Sequence, residues 1–216
     1  MFTVPYASRE DFEANPASYP AYKLAHFPWS EPDGYRPEAY ASVVHDDEAF
    51  YVRLICAEKD PYCVVHEWNG DVWCDSALEF FIEPVRGKGY FNFEMNSYPT
   101  MLAYFGILPD DDKRVPVDYP HSAFNLRSRK WEEDGKWWWE VRLTVPFAVL
   151  KQYVPEFAPA AGLIIHANAY KCGDNTPNPH FGCLNRIDPV RVPEPAFHVP
   201  EFFGEWVMEP DLARKK

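Results

Sequence analysis

Two short stretches carry side chains able to do chemistry. In "DSALEFFIEP", Glu79 falls with Asp75, Ala77 and Phe81, opposite Ser76, Leu78, Phe80 and Ile82, because successive side chains of a β-strand point to opposite faces. In "YFNFEMN" the same alternation sets Tyr90, Asn92, Glu94 and Asn96 against Phe91, Phe93 and Met95. One side of each strand is core. The other is richer in Asn and Glu than a plain wet surface. Two carboxylates on adjacent strands can act as the acid and base of a glycoside hydrolase. They can also bind sugar hydroxyls, calcium or an arginine such as Arg142. An open sheet face favours binding, so no catalytic residue is expected; hydrolysis by Glu79 and Glu94 is the alternative.

Two further strands share this character. "GKWWWEVRLTV" leaves Trp138, Glu140, Arg142 and Thr144 opposite Trp139, Val141, Leu143 and Val145, and "GLIIHANAY" leaves His166, Asn168 and Tyr170 opposite Ile165, Ala167 and Ala169. If all four strands are neighbours, their polar faces gather carboxylates, amides and flat rings into a surface suited to a polyhydroxylated ligand. Trp73, between Asp71 and Asp75 after the "HEWNGD" loop, is expected to be partly exposed. Lys171, at the end of a buried strand, needs a partner because an unpaired buried ammonium is costly; Glu79 or Glu94 would supply it.

The elements that must position these groups are mostly strands. Ten segments have strand character, bounded by Pro, Gly, Asp or Asn: those beginning at Tyr22, Glu38, Ala49, Asp75, Tyr90, Thr100, Ala123, Lys136, Gly162 and Glu205. One helix is expected from Pro146, through Phe147, Leu150 and Tyr153. The fold class is all-β: an antiparallel β-sandwich of about ten strands with one short helix, in a single domain over residues 1–216. The 22 prolines argue for turns against long helices.

Composition removes several functions. A net charge of -12 without a basic patch excludes a nucleic-acid partner. No run approaches the roughly 18 apolar residues of a membrane span, and no charged start with an apolar stretch follows Met1. The expectation is a cytoplasmic chain or a secreted one already trimmed. Five cysteines, Cys56, Cys63, Cys74, Cys172 and Cys183, form no CxxC pair, so free thiols are expected. His180 and His198 stand in Pro- and Gly-bounded loops and suggest no metal site. Asp110, Asp111 and Asp112 read as a solvated loop.

The ordered strings "WCDSALEFFIEP", "YFNFEMN", "WWWEVRLTVPF", "NAYKCGD" and "FHVPEFFG" resemble the family 9 carbohydrate-binding modules and their DOMON-like relatives over about residues 20 to 209. The resemblance implies a non-catalytic sugar-binding β-sandwich, taking a mono- or oligosaccharide in carbohydrate catabolism or beside a glycoside hydrolase. Trp73 matches one of the family's two sugar-clamping tryptophans, Glu79 its strand carboxylate, and Asn168 its asparagine near the second clamp. Lys171 stands where sugar-clamping members have Trp, and Asn92 and Glu94 stand where they have Arg and Asn. Alternation and resemblance together imply a candidate binding set of Trp73, Glu79, Asn92, Glu94, Asn168 and Lys171. Trp68, Tyr98 or Trp138 would then supply the other plane, or Lys171 would attract an acidic ligand. No cofactor is expected, although the resemblance allows structural calcium. DOMON-like relatives that bind haem b suggest a second alternative, electron transfer with Lys171 and Met95 or Met101 as axial ligands.

Overall fold

The computed structural model describes residues 1–31, 33–107 and 113–212, so the expected loop at Asp110, Asp111 and Asp112 lies outside the described residues. The strands are β1 (Phe2–Val4), β2 (Tyr22–Lys23), β3 (Ala39–His45), β4 (Ala49–Cys56), β5 (Ala77–Glu83), β6 (Tyr90–Asn96) and β7 (Met101–Gly106). They continue with β8 (Val115–Pro116), β9 (Arg127–Glu133), β10 (Lys136–Pro146), β11 (Ile164–Cys172), β12 (Phe181–Cys183) and β13 (Gly204–Met208). The described residues also form two short α-helices, α1 (Arg9–Ala14) and α2 (Phe147–Tyr153), and several single 3-10 turns. All ten expected strand segments contain a strand, and α2 begins directly after Pro146.

The strands form two sheets. One has the order β1-β13-β11-β5-β6-β7-β8 with β12 attached to β11; the other has the order β2-β3-β4-β10-β9. Their facing sides make the sandwich core. Leu78, Phe80 and Ile82 of β5, Phe91, Phe93 and Met95 of β6, and Ile165, Ala167 and Ala169 of β11 meet Val52 and Leu54 of β4 and Trp139, Val141 and Leu143 of β10. These are the apolar rows set by period-two alternation. The ladders between these strands are antiparallel except that β1, at one edge of the larger sheet, runs parallel to β13. At the β9–β10 turn, Asp134 and Gly135 both have positive φ, 52° and 74°, as a two-residue hairpin matching strand twist requires.

The polar face is not open. A segment without strand structure, residues 185–203, returns across the outer side of the larger sheet. Ile187, Phe197 and Phe203 bury themselves there against Ala77, Phe81, Tyr90 and Tyr170, with the Tyr170 and Phe197 rings stacked at 4.1 Å. Two sheets and a covering segment thus give three layers, and the "wet" rows of β5, β6 and β11 become interior.

The grouping of four polar faces needs correction. β5, β6 and β11 are neighbours, but β10 belongs to the other sheet. Glu140, Arg142 and Trp138 therefore face outward on the far side of the molecule. Glu140 is buried there beneath Arg53, Arg129 and Arg142, at 2.5, 2.7 and 2.8 Å. Arg142 is no partner for Glu79 or Glu94.

Candidate carbohydrate site

The larger sheet's register makes Glu79 and Glu94 direct cross-strand partners, with Tyr170 beside Glu79 and Leu102 beside Glu94. Directly opposed residues hold their Cβ atoms roughly 4.5–5.5 Å apart. Both carboxyl groups are almost wholly buried. They form the floor of a cleft of about 500 Å³ whose lining includes Trp73, Tyr104, Arg114, Asp174, Phe197 and His198.

Trp73 stands on one rim, 42% exposed, on the short turn Val72–Cys74. Local polar bonds fix that turn. The buried carboxylate of Asp75 accepts from the backbone N–H groups of Val64 and Val65 and from Asn96 Nδ2. Val72 is sealed in the outer cluster, and Cys172 Sγ donates to Trp73 O at 3.4 Å. The indole is exposed while its backbone is held, which suits a stacking platform. Asn96, on the polar face of the "YFNFEMN" strand, serves this loop.

The opposite wall comes from the covering segment. His198 lies 3.9 Å from Glu94 Oε1 through Nε2, and its Nδ1 is 2.9 Å from Tyr90 Oη and 2.8 Å from Arg114 Nη1. Burial, with Arg114 adding to it, lowers the His198 pKa to about 3, so the ring is neutral. Burial pushes Glu94 up to about 7, against the opposing pull of the Asn92 amide and Arg114. Glu79 is raised well above the usual carboxylate range by burial first, then by the charges of Glu94 and Asp174. Two carboxyl groups this close and this dry resist double ionisation.

Of the six expected residues, the cleft gathers Trp73, Glu79 and Glu94. Asn92 lies beneath them: its Nδ2 donates to Glu94 Oε1 at 2.9 Å. Asn168 is fully buried and does not line the cleft. It clamps the start of the covering segment, donating to Asn185 O at 3.2 Å and accepting from Asn185 N at 2.9 Å.

Lys171 departs furthest from expectation. It shares the inward row with Ile165, Ala167 and Ala169, fully buried on the far side of the sheet from Glu79. Its ammonium donates to Ser76 Oγ at 2.9 Å and Cys172 O at 2.8 Å, contacts His180 Nε2 at 2.7 Å, and lies 3.5 Å from Glu58. Glu58, not Glu79 or Glu94, settles its charge, so Lys171 is neither a rim contact nor an attractor for an acidic ligand.

The alternative planes are elsewhere too. Trp68 stacks on His121 at 3.8 Å, Tyr98 packs on His66, and Trp138 pairs with Trp131 on the other sheet. The haem alternative lacks a pocket: Lys171 is bonded into its network, while Met95 and Met101 are sealed in the sandwich core. For calcium, no group of three or more His, Cys, Asp or Glu among the described residues is arranged to hold a metal ion, so no role is assigned to one. All five cysteines are free.

Sequence reasoning missed Arg114, Asp174, Tyr104 and Phe197. Arg114, Asp174 and Phe197 come from loops without a readable period, and Tyr104 from β7. Tyr104 alone could have been found, since it follows Leu102 on the outward row of β7.

The model of carbohydrate-binding family 9 matches residues 15–208. The chain belongs to that family. Among solved structures, a Bacteroides uniformis protein designated carbohydrate-binding is similar at 23% identity and a TM-score of 0.75, over 96% of this chain and 99% of that one. A family 9 module from Caldicellulosiruptor kristjanssonii in complex with glucose is similar at 12% identity and a TM-score of 0.54, over 97% and 96% of the two chains. The complex of a family 9 module from the same organism with cellotriose gives 11%, 0.56, 97% and 94%. At these identities the likeness speaks for the fold. A search of curated proteins gave no match.

Proposed function

We propose that this family 9 domain binds a mono- or oligosaccharide non-covalently in the cleft between Trp73 and the covering segment. The observation that carries the reading is the meeting of an exposed indole with two buried carboxyl groups in one cleft of about 500 Å³. A sugar ring offers an apolar C–H patch and a rim of hydroxyls. Trp73 takes the patch, while Glu79 and Glu94 accept from the rim. Covering about 50 Å² with an indole contributes about 1 kcal/mol, each hydrogen bond to a neutral carboxyl about 0.5–1.5 kcal/mol and each to an ionised one about 1.5–3 kcal/mol. After the cost of immobilisation, dissociation constants from millimolar to micromolar follow.

Binding fits better than hydrolysis. A hydrolase sets its two carboxyl groups on either side of the scissile bond, whereas Glu79 and Glu94 stand side by side on one floor. They address one face of one sugar. Cleavage of a polysaccharide would then fall to a glycoside hydrolase working alongside this domain.

Titration calorimetry against glucose, cellobiose, cellotriose and other oligosaccharides tests the reading. Wild type should bind at least one of them, and Trp73→Ala should weaken that affinity about fivefold, the equivalent of about 1 kcal/mol, while melting normally. Equal heats from both proteins, or none from wild type, would reject the site.

A further inference from the structure

The charge around the cleft discriminates between classes of sugar. We propose that it selects a sugar carrying a protonated amine, a free hexosamine unit, over neutral sugars and uronic acids, with Glu79 and Glu94 together receiving the ammonium. This rests on the cleft being the carbohydrate site. Asp71, Glu79, Glu94 and Asp174 all line it, against the single guanidinium of Arg114 and the ring of His198. That ring already meets Arg114 and Tyr90. The one lysine on β11, Lys171, spends its charge on Glu58 on the other side of the sheet.

A second observation concerns hydrogen bonding rather than charge. Glu94 Oε2 and Asn92 Oδ1 are buried without a hydrogen-bond partner among the described residues. Asn92 Oδ1 is an acceptor, and Glu94 Oε2 is one in the ionised carboxylate, since Oε1 already accepts from the Asn92 amide. Buried acceptors without donors are uncommon and costly, and two directly opposed carboxyl groups in a dry site cannot both ionise readily without a cation between them. One ligand group relieves both conditions: an ammonium has three donors, no acceptor and a positive charge. A hydroxyl provides one donor and no charge, and a uronate adds a further negative charge to the cluster. Trp73 adds to the preference, since an indole face attracts a nearby cation.

Calorimetry of the full chain at neutral pH with D-glucosamine, D-glucose and D-glucuronate tests this. Glucosamine should bind at least about tenfold more tightly than glucose, a difference of about 1.4 kcal/mol, and glucuronate should give no heat. In Glu79→Gln the glucosamine-to-glucose ratio should fall to within about threefold; Glu94→Gln provides the same comparison should the first variant fold poorly. Glucose binding as tightly as glucosamine, or a ratio that survives in both glutamine variants, would overturn the selectivity while leaving the sugar-binding reading standing. No heat from any of the three sugars or from the cello-oligosaccharides would overturn both.

Discussion

At the scale of single residues, burial separates the titrations of two neighbours in the cleft, and the consequence is measurable. Glu94 moves from an ordinary 4.5 to about 7, so between those values the folded state holds a proton that the unfolded chain releases. Stability contributed by this group is complete below pH 4.5 and is lost as pH rises to 7. Glu94→Gln keeps an acceptor for the Asn92 amide and removes the titration. Relative to wild type, it should be more stable by on the order of 3 kcal/mol above pH 7 and nearly equal below pH 4.5, read from urea unfolding at both ends. His198 acts in the opposite sense: its pKa is lowered from 6.5 to about 3, so it withdraws stability as pH falls below 6.5. The alternation in "DSALEFFIEP" and "YFNFEMN" made Glu79 and Glu94 legible, because a strand with one sealed face has one permitted register. The same rule, carried one strand further, sets Lys171 with Ile165, Ala167 and Ala169. Its buried partner Glu58 was unreadable because it follows β4 and comes near only when the sheets stack. Lys171→Ala should cost about 3–5 kcal/mol by leaving Glu58 without its cation, while sugar affinity stays within about threefold.

At the scale of elements, the cleft depends on a segment without strands, whose one regular piece is a single 3-10 turn at Pro200–Phe202. Residues 185–203 carry Phe197 and His198, and their first tie to the sheet is the exchange between Asn168 and Asn185. Gly204 seats the same clamp, since a Cβ there would lie 2.2 Å from Asn185 Oδ1. Asn168→Ala should lower stability by about 1–3 kcal/mol, the cost of stranding buried groups. It should also weaken sugar binding without touching the ligand. Faster amide hydrogen exchange confined to residues 185–203 would be the signature; unchanged exchange there would contradict the clamp. Strands of five or more residues were readable through their period. β1, β8 and β12, at two or three residues each, are too short to show one. The covering segment shows no period because its bonds go to side chains and loop carbonyls, so its role emerges only in three dimensions.

At the scale of the whole molecule, the sandwich has two unlike outer faces. The smaller sheet shows Trp131 and Trp138 with arginines around Glu140, and the larger sheet holds the acidic cleft beneath its cover. Both faces were legible as polar and aromatic rows, but not that they point in opposite directions, since the pattern of one strand does not say which sheet it joins. A crystal structure of the chain soaked with glucose and with cellotriose tests the central claim most directly. The expected result is a sugar ring against the Trp73 indole, with hydroxyls within hydrogen-bond distance of Glu79 and Glu94. Sugar density on the Trp131 and Trp138 face, with the cleft unchanged at saturating ligand, would contradict it.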